Sequence, residues 1–505
     1  MIPPRGPDCA IADWPDWPVN SRHYCATMIG YDGFAANWPF GWRRNAPPST
    51  RRTHKEEAMI GNIHKKLPIV TEDPVALSSR IIDSGETDES TNRVTQNLTE
   101  VADGISIVES FSHIITFQTA DGLVCFDSSG SFTGTRALDS LRAWSTERIN
   151  SLVYTHGHID HVGGSAAMAA DATDRGYAAP EVVGHVAVDP RLDRYEETNG
   201  WNLAINRRQF GGISRTAGLS LPSEDQFVPP GTLRPTTTYR QTHDLTVGGT
   251  TFELRHDRGE TDDHTWAWIP EHNAICAGDL VLWVFPNCGN PQKVQRYPKD
   301  WAAALRKMQA LNAEWLFGAH GLPVHGKARV HLVLDDLASA LESLVVRTLE
   351  MMNAGESLDA ILHEVTLPDE VLTKPWMMPI YDEPEFVVRN IWRLYGGWWD
   401  QNPSHLKPST NAELGAEIAA LAGGANALVA RARDLADTGD FRLACHLIEF
   451  AALAEPESRD VHGARAEIYQ ARRNNEFSLM SKGIFAAAAN ESKAVIEGPD
   501  QPTRR

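Results

Sequence analysis

Between residues 98 and 320 short apolar runs alternate with amphipathic stretches, and the cycle runs twice. Ile105-Ser106-Ile107-Val108 and His113-Ile114-Ile115-Thr116-Phe117 read as strands, Ala120-Asp121-Gly122 as a hairpin turn and Leu123-Val124-Cys125-Phe126 as the returning strand. Thr135 to Trp144 carries Leu138, Leu141 and Trp144 at helical spacing. Leu152-Val153-Tyr154 and Val182-Val183-Gly184-His185 are short buried strands. The cycle resumes at Thr251-Phe252-Glu253-Leu254, Trp266-Ala267-Trp268-Ile269 and Ala274-Ile275-Cys276-Ala277, followed by an amphipathic helix over Asp300 to Leu311 and a last strand at Trp315-Leu316-Phe317-Gly318. This order predicts an α/β fold of two mixed sheets packed face to face with helices outside. Residues 190 to 240, with scattered Gly, Pro and Arg, read as long loops over one end of the sheet, of the kind that shape a substrate site.

After Ala328 the period becomes helical throughout. Val330 to Met352 and Glu385 to Tyr395 read as helices. Ala412 to Ala436 (broken at Gly423-Gly424), Phe441 to Ala454, Arg459 to Asn474 and Glu476 to Ala488 read as antiparallel helices with short links. A helical bundle that packs and oligomerises explains this region better than a peptide-binding repeat. Residues 1 to 94 lack sustained periodicity, but Trp14, Trp17, Trp38 and Trp42 suggest an extension lying on the body of the protein. The expected organisation is therefore 1–94 as that extension, 95–330 as the catalytic domain, 331–490 as the helical domain and 491–505 as a polar tail.

Charge and cysteine content narrow the class of function. A formal net charge of -19 excludes a nucleic-acid backbone as partner, which would need a basic field. No apolar run approaches the roughly 20 residues of a membrane span, and Met1 to Ala10 has no apolar core of a secretory signal. The six cysteines show no CxxC spacing and read as free thiols of a cytoplasmic protein.

The chemistry concentrates in Thr155-His156-Gly157-His158-Ile159-Asp160-His161, where a strand ends and a small-residue helix begins beyond Gly163-Gly164. Imidazoles and a carboxylate suit zinc and related divalent metals. His156 and His158, two apart in an extended strand end, project to one side, while Asp160 and His161 lie past the turn and can face a second metal. His264, Asp279 and His320 each lie beside a strand end downstream. His325 is the runner-up to His320, Asp262 and Asp263 read as supporting or loop residues, and Asp127 as a hydrogen-bond support for the metal-loop histidines.

The HxHxDH loop followed in order by His, Asp and His at strand ends resembles the metallo-β-lactamase superfamily over about residues 95 to 330. The resemblance implies an αββα sandwich in which His156, His158 and His264 hold one Zn2+, Asp160, His161 and His320 hold a second, and Asp279 bridges both. The helical region with Tyr395-Gly396-Gly397-Trp398-Trp399-Asp400-Gln401-Asn402-Pro403 resembles the dimerisation domain of the alkylsulfatase branch, which hydrolyses sulfate esters and implies a homodimer. In that branch glutamates stand where this chain has His264 and Asp279, a departure that opens other ester classes as substrates: lactone, carboxylic ester, thioester or phosphoester. The implied chemistry is hydrolysis of a small-molecule ester by a hydroxide shared between two metals about 3.5–4 Å apart, with Asp160 and Asp279 holding it and relaying its proton. For an anionic head group, Asn287, Asn290, Lys293 and Arg296 are the candidate contacts, and Trp283 and Phe285 are candidates for an apolar lining.

Overall fold

The computed structural model describes residues 72–87, 89–210 and 226–498. The tryptophans of the N-terminal extension lie outside the described residues. Two sheets carry the fold. The first runs in the spatial order β1 (Leu98–Ala102), β2 (Ile105–Val108), β3 (Ile114–Thr119), β4 (Gly122–Phe126), β5 (Ile149–Val153), β6 (Glu181–His185), β7 (Thr237–Tyr239). The second contains β8 (Thr242–Val247), β9 (Thr250–His256), β10 (Thr265–Ile269), β11 (Ala274–Gly278), β12 (Trp315–Gly318) and β13 (Val324–His325), with β8 and β13 at its edges. Strands β4 to β7 are mutually parallel, as are β11 and β12; the other pairings are antiparallel.

The inner faces interdigitate. Phe117 and Phe126 of the first sheet meet Phe252 of the second at ring-centroid distances of 5.4 and 6.0 Å, and Phe117 also meets Phe317 edge-on. Strands buried on both faces read as near-continuous apolar runs, as at Leu123-Val124-Cys125-Phe126, because helices cover their outer side. The Gly134–Trp144, Ser165–Asp174 and Val188–Glu197 helices cover the first sheet through Leu138, Leu141, Met168 and Leu192. The Pro298–Ala310 and Lys327–Asn353 helices cover the second through Trp301, Leu305, Val333 and Leu337, and that core continues to Val387 and Ile391 of the Pro384–Gly396 helix. A separate core joins the helices from Ala419 to Ala489. The αββα sandwich followed by a helical region is thus the architecture the sequence pattern implied.

Three local differences have physical causes. Within residues 190–240, expected as long loops, the chain as far as residue 210 lies in two helices, Val188–Glu197 and Asn199–Phe210. Their inward positions mix Arg191, Asn202, Asn206 and Gln209 with Val188, Leu192, Tyr195, Leu203 and Ile205, so polar residues interrupt the apolar period. The Pro74–Ser84 helix lies within the expected extension, its N-terminus capped by Asp73, which accepts from the backbone N–H groups of Val75 and Ala76. The last helix is Leu479–Glu497, starting later than Glu476 because Ser478 caps it. The break at Gly423-Gly424 is present, both glycines holding positive φ.

Parallel pairing brings the functional loops to one edge. Phe126 pairs with Val153 and Gly278 with Gly318, so both pairs of parallel strands end level, and the segments after them emerge together. Phe252 is fully buried at the centre of the inter-sheet core. Phe252→Ala is expected to destabilise the chain by about 3–5 kcal/mol through lost burial and an unfilled cavity, read from the shift in a chemical denaturation midpoint; a loss below about 1 kcal/mol would contradict this packing.

Candidate metal centre

The loop after β5 carries His156, His158, Asp160 and His161. It is extended through His158 and then turns into the short Ile159–Val162 helix, so the first two histidines and the second pair face different directions. Two groups of ligand-type side chains result. In the first, His156, His158, Glu260 and Asp279 bring their ligand atoms within 4.8 Å of one another; in the second, Asp160, His161 and His320 do so. His156 Nε2 lies 3.8 Å from Asp279 Oδ2 and 3.9 Å from Glu260 Oε2. His161 Nε2 and His320 Nε2 lie 3.4 and 3.5 Å from Asp279 Oδ1, and each lies 3.5 Å from Asp160 Oδ2. The two oxygens of Asp279 therefore face different groups, a bridging arrangement.

These groups fit divalent metals. Ligand atoms about 2.0–2.2 Å from a common ion lie roughly 3–4 Å apart, which is the spacing seen. His161 Nε2, Glu260 Oε2 and Asp279 Oδ1 are buried without hydrogen-bond partners, an expensive condition for polar atoms unless a cation satisfies them. Burial pushes His156 and His158 well below the usual imidazole range, so both rings are neutral and keep a lone pair for a ligand role. Burial also opposes charge on His161 and on Asp279, but the carboxylates of Asp279, Asp160 and Asp127 outweigh it and hold the His161 ring well above its ordinary range. The same His161, with His320, holds Asp279 well below its own. Burial raises Glu260, and the neighbouring Asp279 adds to that effect.

Buried supports fix the orientation of the ligands. Asp127, at the end of β4, accepts from Nδ1 of His161 at 2.7 Å, from the Thr155 N–H at 2.8 Å and from the Thr155 hydroxyl at 2.7 Å. With its proton committed to Asp127, the Thr155 oxygen can accept from His156 Nδ1, 3.1 Å away. One carboxylate thus turns Nε2 of two histidines toward the centre. On the other side, Asp263 accepts from the Gly157 N–H and from Arg191, both at 2.9 Å, pinning the loop between the first two histidines.

The structure brings together six of the seven ligand residues named from the sequence and leaves out His264. That ring lies behind His156, nearly parallel at a centroid distance of 5.1 Å, and its Nε2 accepts from the Asp279 backbone N–H at 3.1 Å. His264 is thereby committed to holding Asp279, and Glu260 takes its place in the first group. Gly278, in the left-handed region, is required beside it: a Cβ there would sit 2.7 Å from Thr155 Cβ and 2.8 Å from His264 Cε1. Glu260 stands in the same polar loop as His264, four residues earlier, so the loop was legible but the residue of it that joins the group was not. A carboxylate in this place removes one of the two departures from the alkylsulfatase pattern; Asp279 remains the other.

The candidate substrate contacts separate. Arg296 Nη1 donates to Glu260 Oε1 at 2.5 Å and Asn287 Nδ2 donates to the same oxygen, so both are turned onto a ligand residue. Buried Asn290 lies 3.5 Å from Gln209. Half-buried Lys293 donates to Asn206 Oδ1 at 3.4 Å and sits 6.0 Å from the Phe227 ring centroid. His325 stacks on Trp315 and faces Glu314, away from both groups. His113 bonds to the Gly321 carbonyl, and Trp283 is buried with its N–H on the Leu322 carbonyl; both are structural.

Residues 109–320 match the model of the metallo-beta-lactamase superfamily, and residues 357–494 match that of alkyl sulfatase dimerisation. A linear primary-alkylsulfatase of Pseudomonas sp. is 24% identical over 392 residues, covering 75% of this chain and 74% of that protein. An (R)-specific secondary-alkylsulfatase of Pseudomonas sp. is 26% identical over 364 residues, covering 68% of this chain, and this chain spans 54% of that protein's length. The solved structure of the stereoselective inverting sec-alkylsulfatase Pisa1 from Pseudomonas sp. superposes with a TM-score of 0.69 at 23% identity, over 81% of this chain and 67% of that one. Two joined domains, each matched by its own family model, place this chain in the metallo-β-lactamase superfamily of hydrolases, in the alkylsulfatase-like branch.

Proposed function

We propose that this chain is a dinuclear zinc hydrolase of alkyl or aryl sulfate esters, working in the cytoplasm as a homodimer. The observation that carries the reading is Asp279, whose two oxygens serve two ligand groups at once. His156, His158, Glu260 and Asp279 would hold one ion, and Asp160, His161, His320 and Asp279 the other. When bound, such a pair supplies Lewis acidity and lowers the pKa of water at the site. The relatives named above are alkylsulfatases, which favours a sulfate ester over other esters. The homodimer rests on the match of residues 357–494 to a dimerisation model. The four described cysteines are free, in keeping with a reducing compartment. Among the described residues no helix is long and apolar enough to cross a membrane.

The chain's own groups supply position and proton handling. Asp160 is the partly exposed carboxylate of the site, its side chain one-third accessible, and its pKa lies at about 2. Burial alone would raise it, but His161 and His320 outweigh that cost, so it is ionised at neutral pH and can orient a water molecule by accepting a hydrogen bond from it. Lys293 is the cation left for an anionic head group, since Arg296 and Asn287 are turned onto Glu260. Burial, with Arg296 nearby, brings the ammonium down to about 8.

Metal analysis of the purified chain is expected to give two zinc ions per chain. Asp279→Asn, which keeps the shape but weakens both groups, is expected to lower that content and cut kcat/KM by at least 100-fold; a variant with full metal content and full turnover would refute the bridging role. Among alkyl sulfates, aryl sulfates, lactones and phosphoesters, sulfate esters are expected to give the highest kcat/KM; a clear preference for a lactone or phosphoester would replace this substrate class. Lys293 is charged below its pKa and loses its charge as pH rises through about 8, so KM for a sulfate ester should rise above that pH. Lys293→Met should show the raised KM at all pH values, and an unchanged KM profile in this variant would remove Lys293 from the site.

A further inference from the structure

The helical region bears on the metal centre through the segment that carries Asn287 and Arg296. Glu260 is held by Arg296 and Asn287, and both belong to the segment that follows β11. That segment, from Asn287 to Arg296, has no helix or strand; inside it the Arg296 guanidinium donates to the Asn287 carbonyl and the Gln292 N–H to Asn290 Oδ1. Asn390, on the Pro384–Gly396 helix, closes it. Its Nδ2 donates to the carbonyls of Cys288 and Arg296, each at 2.9 Å, so the two amide hydrogens tie the two ends of the segment together. Its Oδ1 accepts from Gln295 Nε2 at 2.9 Å and faces the Arg296 N–H at 3.4 Å. The contact is intimate elsewhere too: Asp382 accepts from the Gly289 N–H at 2.6 Å, and a Cβ on Gly289 would meet the Phe386 and Val387 backbone at 2.2 Å.

We infer that Asn390 is a positioning residue for the first metal, acting through the Cys288–Arg296 segment and the Arg296 guanidinium to aim Glu260. Asn390 lies 130 residues beyond Glu260 in the chain, inside the region matched by the dimerisation model. The helical region is on this account part of the hydrolytic centre as well as an assembly surface. The geometry requires an amide. Both hydrogens of Nδ2 are used on carbonyls while Oδ1 accepts, and aspartate at the same place would set an oxygen against two carbonyl oxygens. Glu260 would keep its carboxylate but lose the fixed direction of Oε2, the oxygen that faces His156. Residues that orient ligands typically change metal affinity by about 10–100-fold when removed. Asn390, Arg296 and Asn287 make no hydrogen bond to Asp160, His161 or His320, so the effect should fall on one ion of the two.

This inference rests on the two-metal reading above. Its test is a titration of the metal-free full-length chain with Zn2+ against a chelating indicator, on wild type, Asn390→Asp, Asn390→Ser and Glu260→Gln. Asn390→Ser keeps one donor and covers the case in which the aspartate variant does not fold, with circular dichroism confirming the fold of each protein. Expected are two ions per chain in wild type, and in the Asn390 variants a loss of about 10–100-fold in affinity for one ion with the other unchanged. Adding the Asn390 change to Glu260→Gln should cost nothing further. Wild-type affinity at both sites in a folded Asn390 variant overturns the inference and leaves the two-metal reading intact, as does an equal loss at both sites. A wild-type chain that binds fewer than two ions overturns both.

Discussion

Carboxylates and imidazoles are packed into one dry edge of the sandwich, and the rest of the structure answers to that concentration. Asp127, Glu260, Asp263 and Asp279 are all buried there. Moving a single carboxylate from water into the interior costs several kcal/mol even after relaxation. Each therefore needs a specific cation or donor. Arg191 answers Asp263, Arg296 answers Glu260, and Asp127 is met by Thr155 and His161. Asp279 has no arginine: its partners are imidazoles and the His264-bound backbone of its own residue. A buried acid that has no arginine and stands beside a second buried acid, Glu260, makes a centre built to receive external positive charge.

The fold places that charge deficit economically. Two pairs of parallel strands end at the same level, so the four segments after them converge without any long excursion of the chain, and the loop between β9 and β10 joins them with Glu260. The ligand loop itself is rigid because both sides of it are held, Asp127 behind His161 and His156, and the Arg191–Asp263 pair behind Gly157. Rigid placement of ligands spares the ordering cost at the moment an ion or substrate binds. The helical region extends the same principle across a domain boundary, because the outer face of the second sheet and the Pro384–Gly396 helix share one apolar core.

Most of this was legible in the sequence where the governing pattern is local. The strands and the outer helices follow from apolar period, and the HxHxDH loop announces a metal from composition alone. Two features escaped for physical reasons. The Val188–Glu197 and Asn199–Phe210 helices bury arginine, asparagine and glutamine beside Val188, Leu192, Tyr195, Leu203 and Ile205, so polar positions interrupt the apolar signal of their inward stripe. The choice between His264 and Glu260 was decided by hydrogen bonding: His264 accepts from the Asp279 backbone, which no spacing rule reveals. Similarly, Arg296 and Asn287 were recognisable as anion-binding residue types, but the anion they hold is a carboxylate of the protein itself.

The most direct measurement is the anomalous diffraction of zinc-loaded crystals at the zinc edge. Two peaks are expected, one on either side of Asp279, the first bonded by His156, His158 and Glu260 and the second by Asp160, His161 and His320. A single peak, or a first ion bonded by His264 in place of Glu260, would contradict the account.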